Sequence, residues 1–256
     1  MEEEGKYIYC IIGTNQERNF GPIGIGGRGD EVLTIGYEDL SMVVSNFPLN
    51  KLVINRENMI MHEKVIEEVM KEFGSVLPVR FYTVASSADE IRKLLNYRYR
   101  EFKCALKDME NKIELGVKGI WKNMYAILKE IKEENGVIKS FKNNFEKTEE
   151  LESVPKKKVI ENLVKNALKK KKEIQTDEIV EPLRKTYCDM ILNNTMFDEM
   201  FMNAAFLVDK GREKEFDSIM GDLSEKYKYR INFIYTGPLP PYNFVNITIY
   251  SESQNI

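Results

Sequence analysis

The sequence predicts an α+β protein built from two domains. Three observations support this class. Short segments rich in β-branched and aromatic residues, typical of strands, stand between longer segments whose apolar residues recur at helical spacing. The last third of the chain has the order strand, helix, strand, strand, which suits a sheet with helices packed on it. With 256 residues, 43% of them hydrophobic, the chain can build a sizeable core, and no repeat of solenoid length is visible.

Residues 1–110 are predicted to form the N-terminal domain. Its predicted elements, in order, are strands at 6–13, 32–35 and 41–46, a helix at 55–73, a strand at 76–85 and a helix at 87–109. Asn55 can cap the first helix, and Gly74 can end it. Its apolar stripe is predicted to consist of Met59, Ile66, Val69 and Phe73, with His62 on the same face. Pro78 lacks an amide hydrogen, which places the strand at 76–85 at an edge or at a strand start.

Residues 111–256 are predicted to form the C-terminal domain, with the boundary near 108–111. The predicted elements are a strand at 113–121, a helix from 124 to about 136, helices at 155–173 and 177–193, a strand at 203–209, a helix at 211–226 and strands at 229–236 and 244–250. The polar, unpatterned stretch at 136–155 predicts a mobile or inserted region, followed by helices at about 155–195. Pro182 is expected near the first turn of its helix, where a missing amide hydrogen is tolerated.

Gly24, Gly26 and Gly29 have the spacing of a dinucleotide-binding fingerprint. That fingerprint requires a helix to begin within it, so that the pyrophosphate meets the helix N-terminus. Here the β-branched run 32–35 follows instead, which predicts a strand. The sequence therefore favours a loop at 21–29 between two strands. A nucleotide- or dinucleotide-binding enzyme that uses this loop remains the alternative interpretation.

Charge and cysteine content restrict the class of partner. The formal net charge is −3 and the pI is about 5.6, which gives no reason to expect nucleic acid. Lysine runs at 156–158 and 169–172 predict either a site for an anionic surface or a solvated helix face, and no aromatic residues interleave with them for base stacking. No apolar run has the length of a membrane span. The three cysteines are dispersed, which favours a reduced, cytoplasmic compartment.

Two side chains, an imidazole and a thiol, have the chemistry for catalysis. His62 is the single histidine and has no sequence-adjacent partner on its helix face, so a packed, hydrogen-bonded histidine is favoured over a general base. Cys104 has no nearby base, which favours a buried thiol over a nucleophile. No set of residues predicts a catalytic, cofactor or metal site.

Five stretches, taken together and in order, resemble the gas vesicle protein F/L family. They are YIYCIIG at 7–13, the glycine-rich loop, YEDLSMVVS at 37–45, HEKVIE at 62–67 with VLPVRF at 76–81, and GPLPPYNFV at 237–245. The resemblance extends from about 6 to 249 and is weakest at 135–175. Two positions depart from the family pattern: Tyr82 stands where glycine is usual, and Leu239 stands where tryptophan is usual.

This resemblance implies a non-enzymatic, cytoplasmic accessory protein of gas vesicle formation, without catalytic residues, cofactor or metal. The implied partners are the hydrophobic shell protein and other gas vesicle proteins, during nucleation or assembly. It also implies two α+β domains, the second with a modified ferredoxin-like fold and an inserted helical segment. Assembly, scaffolding and a minor structural role in the shell all remain open.

Two surfaces are predicted to contact the partner. A binder that offers apolar grooves or a strand edge would shield a β-rich shell subunit before its apolar face is covered. The predicted contact residues are Leu77, Pro78, Val79, Arg80, Phe81, Gly237, Pro238, Pro240, Pro241, Tyr242 and Phe244. The alternative is that both stretches serve only ordinary strand and turn formation.

Overall fold

A computed structural model describes residues 4–48, 54–135 and 154–249. The chain divides into two compact units. The first consists of Met1–Glu114, Leu207–Lys210 and Gly237–Ile256, and the second of Leu115–Phe206 and Gly211–Thr236. The division into domains at 1–110 and 111–256 stays a prediction. The α+β class is confirmed, since helices accompany two separate sheets.

The first sheet has five strands and three helices packed around it. The strands are β1 Glu4–Ile12, β2 Val32–Tyr37, β3 Leu40–Pro48, β4 Val76–Pro78 and β5 Val84–Ala85, and the helices are α1 Arg56–Glu72, α2 Ala88–Tyr97 and α3 Tyr99–Asp108. The strand order is β2-β3-β1-β4, and β5 also pairs with β1. Every pairing is antiparallel. Strands β4 and β5 therefore lie along the same edge of β1, as Pro78 predicted.

Strand β1 is buried on both faces, and its side chains belong to two different apolar clusters, one on each face. Ile8 and Ile11 join the cluster that includes residues of α2 and α3, whereas Tyr9, Cys10 and Ile12 join the cluster that includes residues of α1. Tyr9 and Cys10 are adjacent yet share a cluster, because the register with β3 shifts between Ile8 and Cys10 as in a β-bulge. This irregularity in β1 thus places an additional side chain on the face of the sheet that α1 covers.

Helix α1 begins and ends where the sequence predicted. The Asn55 side chain accepts the backbone N–H of Asn58 at 2.8 Å, which satisfies a donor of the first turn. Burial of Val65, Ile66 and Val69 contributes about 1.5–3 kcal/mol for each side chain. The predicted stripe was wrong at its N-terminal end, where Met59 is 46% exposed.

Two further predictions for this region were wrong. The predicted strand at 76–85 is interrupted, because residues 79–83, which we call the bulge, leave the sheet between β4 and β5. The predicted helix at 87–109 is two helices that meet at Arg98, whose φ and ψ of −104° and 19° are not helical. The Arg98 side chain donates a hydrogen bond to the carbonyl oxygen of Thr248 at 2.7 Å, so a distant part of the chain contacts the break.

The second sheet has four strands in the order β7-β8-β6-β9. They are β6 Lys112–Trp121, β7 Asp189–Leu192, β8 Met200–Asp209 and β9 Ile231–Leu239, and the helices are α4 Met124–Glu134, α5 Val154–Leu183 and α6 Glu213–Lys226, with a short 3-10 helix at Lys210–Arg212. The ferredoxin-like character of this part of the chain stays a prediction.

Three corrections concern the C-terminal half. The predicted helices at 155–173 and 177–193 are one helix, α5, followed by strand β7. Gln175 and Thr176, which lie between the two predicted helices, are buried, and Thr176 donates to the carbonyl oxygen of Lys172 within the helix. Pro182 therefore lies near the end of α5 rather than near a helix start. The predicted strand at 244–250 is not paired with another strand over 244–249. Of the predicted mobile stretch 136–155, residues 136–153 lie outside the described residues.

Candidate functional site

A groove of about 480 Å³ lies in the first unit, and we call it the motif groove. Its lining comes from three separate stretches of sequence: α1, the bulge at 79–83 with the preceding Pro78, and the segment 242–247. These stretches coincide with HEKVIE, VLPVRF and GPLPPYNFV. Motifs that lie far apart in the sequence thus meet at one surface feature.

His62 lines the groove and is 3% exposed, which confirms the prediction that it is buried. Its Nδ1 atom lies 2.9 Å from the Tyr7 hydroxyl, and its Nε2 atom lies 3.2 Å from the carbonyl oxygen of Val79. Because a carbonyl oxygen only accepts, Nε2 carries the proton and Nδ1 accepts from Tyr7. The Tyr7 hydroxyl also accepts the backbone N–H of Tyr82 at 3.1 Å. Both ring nitrogens are therefore engaged in holding the bulge.

Aromatic rings enclose His62. Its ring stacks on Tyr9 at 5.6 Å and makes edge contacts with Tyr7 at 5.6 Å and Phe81 at 5.7 Å between centroids. Burial lowers the pKa of His62 to about 4, although the hydrogen bond to Val79 acts in the opposite direction. The imidazole is therefore neutral at pH 7. With no free nitrogen it is unsuited to proton transfer, and its contacts instead fix Phe81 at the groove.

The bulge is closed by local hydrogen bonds. Backbone hydrogen bonds from Val79 to Tyr9 and from Ile8 to Thr83 hold its two ends on β1, at 3.0 and 2.9 Å. Within it, the Thr83 hydroxyl donates to the carbonyl oxygen of Arg80 at 2.6 Å. The residues between are thereby directed away from the sheet. This explains why a stretch with strand-like alternation does not continue as a strand.

Tyr82 has a φ of 76°, in the left-handed region where side chains are strained. We expect Tyr82→Gly to be more stable than Tyr82→Ala by about 1 kcal/mol in the free energy of unfolding, because the two variants differ only in the Cβ atom and glycine tolerates this φ. Both variants keep the backbone N–H that Tyr7 accepts. Urea denaturation of the pair measures the difference. Equal stability, or greater stability of the alanine variant, would show that the left-handed backbone is unstrained.

The segment 242–249 is held by side chains from elsewhere in the first unit. The Glu114 carboxylate, which is buried, accepts the backbone N–H of Asn243 at 2.8 Å and its side-chain amide at 2.6 Å. Burial raises the pKa of Glu114, and these two hydrogen bonds oppose the shift. Arg80 donates to the Asn246 side chain at 3.3 Å. The segment thus forms a side of the groove without belonging to a sheet.

Comparison with known proteins gives this groove a family context. A family model described as "Gas vesicle synthesis protein GvpL/GvpF" matches residues 5–246. The chain belongs to this family. Gas vesicle protein F1 of Halobacterium salinarum is 27% identical, with 98% of this chain and 97% of the relative covered. Gas vesicle protein L1 of the same organism is 20% identical, with 94% and 90% covered.

The fold is also that of a solved member of the GvpL/GvpF family. The crystal structure of GvpF from Anabaena sp. PCC7120 superimposes with a TM-score of 0.83 at 22% sequence identity, covering 96% of this chain and 100% of that one. A second crystal structure, of GvpF from Microcystis aeruginosa, gives a TM-score of 0.82 at 22% identity. Family membership supports an accessory role in gas vesicles.

The predicted contact residues of this GvpL/GvpF chain fall into three groups. Those that line the motif groove are Pro78, Val79, Arg80, Phe81 and Tyr242. Those that are buried outside its lining are Leu77, Pro240 and Pro241, and Phe244 is partly buried. Gly237 and Pro238 are exposed near the end of β9. The structure thus brings the VLPVRF stretch to Tyr242 but not to the first two residues of GPLPPY.

The sequence did not identify Met59, Glu63, Asn243 and Asn246 as groove residues. Glu63 lies in the HEKVIE stretch, which indicates family resemblance but does not by itself predict a groove residue. A signal was therefore present in the motif, but no spacing rule connects position 63 with position 242. Only the tertiary structure brings these positions together.

The glycine-rich loop is confirmed as a connection between two strands, since no helix begins within 13–31. The loop is anchored to the core because the Ile25 amide donates to the Tyr9 hydroxyl at 2.9 Å and the Ile25 side chain is fully buried. A Cβ on Gly24 would lie 2.8 Å from the carbonyl oxygen of Asp30, and Gly26 has a φ of 88°. These glycines serve the path of the loop, and the helix N-terminus that a pyrophosphate needs is not there.

The remaining candidates contribute little to the chemistry of a site. The prediction of a buried Cys104 was wrong, because this thiol is exposed on α3. Lys171 of the lysine-rich helix pairs with Glu134 at 2.7 Å and with Glu130 at 3.2 Å. Among the residues that the structure describes, no group of three or more His, Cys, Asp or Glu side chains is arranged to hold a metal, and no helix has the length and apolar character needed to span a membrane.

Proposed function

We propose that this protein is a non-enzymatic, cytoplasmic accessory factor of gas vesicle formation that binds the hydrophobic shell protein, and with it other gas vesicle proteins, through the motif groove. The observation that carries the proposal is the convergence of three family motifs on one groove. Apolar side chains at its surface, such as the half-exposed Met59, can bury apolar surface of a partner. The engaged nitrogens of His62 argue against acid-base catalysis at this position.

The lysine-rich helix is not the proposed contact. Lys171 is held by two glutamates, and Lys172 donates to the carbonyl oxygen of Phe197 at 3.4 Å, so part of the run serves the fold. Binding through apolar burial should persist at high salt. The Debye length falls from about 8 Å at physiological ionic strength to about 3 Å at 1 M, which weakens mainly exposed charge pairs.

The test is a pull-down of the shell protein by the full chain over a series of salt concentrations. We expect binding to survive 0.5 M salt and the change of Lys169 and Lys170 to Gln. We expect Met59→Ser, in the groove, to weaken binding about five- to tenfold. Ile60→Ser is the matched control, since Ile60 is 40% exposed on the same helix but is outside the lining.

Three outcomes would contradict the proposal. Loss of binding at moderate salt, or in the lysine variant alone, would favour an electrostatic surface instead. Equal effects of the serine changes at 59 and 60 would place the contact outside the groove. Failure of the shell protein to bind at any salt would remove it as the partner.

A further inference from the structure

An acidic pair on α1 borders the motif groove. Glu63, which lines the groove, and Glu67 are one helical turn apart, and neither forms an ion pair with any described residue. Two other glutamates of the helix differ, since Glu68 pairs with Lys71, and Glu72 with Arg18. Burial, and then the charge of Glu67, raise the pKa of Glu63. Two like charges at this spacing destabilise each other, and a cation placed between them would relieve that repulsion.

A second residue of the groove lining, Tyr242, carries a buried hydroxyl. The Tyr242 hydroxyl is shielded from solvent and has no hydrogen-bond partner among the described residues, although Tyr242 lines the groove. Its pKa is raised by burial first and then by the charge of Glu63, with a further contribution from Glu67. A buried hydroxyl without a partner destabilises the fold. Because the hydroxyl is shielded while Tyr242 lines the groove, an entering segment would contact the ring of Tyr242 and not its oxygen.

The remaining lining restricts what can enter. A volume of about 480 Å³ is within the range of sites that hold a small ligand or a few side chains, about 300–1,000 Å³. Met59, Phe81 and Val245 supply apolar contacts. Arg80 adds a positive charge from the bulge, so a second cation at that position would be repelled. The groove thus combines a carboxylate from α1, a guanidinium from the bulge and apolar side chains in one lining.

We infer that the motif groove binds an extended segment of a gas vesicle protein in which one lysine or arginine stands next to an apolar side chain. The basic group contacts Glu63, while the apolar side chain packs against Met59 and Phe81. This inference rests on the proposed function and specifies the chemistry of the partner segment. Charge complementarity with the acidic pair selects a basic segment over an acidic one.

The test uses the full chain and short overlapping peptides that cover the shell protein and the other gas vesicle proteins. We expect the peptides that bind to contain a basic residue beside an apolar one. Changing that residue to Gln, or changing Glu63→Gln in the protein, should each weaken binding about tenfold, and the two changes together should weaken it no further. Glu68→Gln is the matched control, because Glu68 is on the same helix but pairs with Lys71.

A second variant separates binding from folding. Tyr242→Phe removes only the unpaired, shielded hydroxyl, so we expect it to keep or raise the melting temperature and to leave the affinity for the same peptides unchanged. Weaker peptide binding by Tyr242→Phe, or equal effects of the changes at Glu63 and Glu68, would overturn the inference. Selection of acidic or uncharged peptides would do the same.

The outcomes also distinguish this inference from the proposed function. If the intact shell protein binds in a manner that depends on Met59 but not on Glu63, the proposed function stands and the basic segment is wrong. If the shell protein does not bind, but basic peptides of another gas vesicle protein bind with the expected dependence on Glu63, the inference stands and the shell protein is the wrong partner.

Discussion

Between pH 6.5 and pH 4 the protein is expected to lose about 3 kcal/mol of stability through His62 alone. In the folded state the pKa of His62 is lowered to about 4, against 6.5 for the free side chain, so the unfolded chain binds this proton first as the pH falls. The stabilisation is fully present above pH 6.5 and is lost by pH 4. The low exposure of His62, 3%, means that solvent does not screen the effect.

The measurement is urea denaturation of the wild type and of His62→Gln at several pH values. Carboxylates titrate in both proteins, so the difference between the two curves isolates His62. We expect the wild type to be more stable at pH 7 and this advantage to shrink, or reverse, towards pH 4. Met59→Gln, one turn earlier on α1 and half-exposed, serves as the control and should follow the wild-type pH dependence. A constant gap between wild type and His62→Gln would mean that the folded imidazole titrates normally.

Gly119→Ala is expected to lower the free energy of unfolding by about 2 kcal/mol. A Cβ at this position on β6 would lie 2.3 Å from the Phe201 ring. That ring is 3% exposed and stacks on Trp121 at 5.2 Å between centroids, so it has no space into which to move. The added methyl group therefore displaces a packed aromatic pair.

Gly116→Ala is the matched control on the same strand. Its Cβ would meet the hydroxyl of Thr236, a side chain on an exposed residue that can rotate away. We expect Gly116→Ala to change stability by less than about 1 kcal/mol. Near-UV circular dichroism of Trp121 should change only in the Gly119 variant. If both alanine variants were equally stable, the packing around Phe201 would be looser than these distances indicate.

Local sequence patterns correctly predicted the elements whose structure depends on residues within the element itself. The alternation of Ile113, Leu115, Val117 and Trp121 predicted β6, and Asn55 and Gly74 predicted the ends of α1, because in each case one buried face or one cap decides the structure. The predictions were wrong where contacts between residues that are distant in the sequence determine the structure. Residues 79–83 alternate like a strand, yet hydrogen bonds with the side chains of Tyr7, which accepts from Tyr82, and His62, which donates to Val79, hold them in a bulge.

The candidate site could be predicted only in part. The VLPVRF and GPLPPY stretches were predicted to be contact surfaces, but the lining of the groove includes α1 as well, and Arg80 and Asn246 meet across a separation of 166 residues. The alternating residues Val245, Ile247 and Ile249 do pack inward as in a strand, but no neighbouring strand pairs with them. Periodicity indicates which side chains are buried. It does not indicate whether a neighbouring strand forms hydrogen bonds with the backbone.

The position of the three groove stretches along the chain determines when the groove can exist during synthesis. The stretches at 62–67 and 76–81 leave the ribosome early, whereas Tyr242 follows Phe81 by 242 − 81 = 161 residues. At about 5–20 residues per second, this interval lasts roughly 8 to 30 s. A nascent chain therefore displays α1 and the bulge for many seconds without the third side. The complete groove arises only after the chain has been translated through 247.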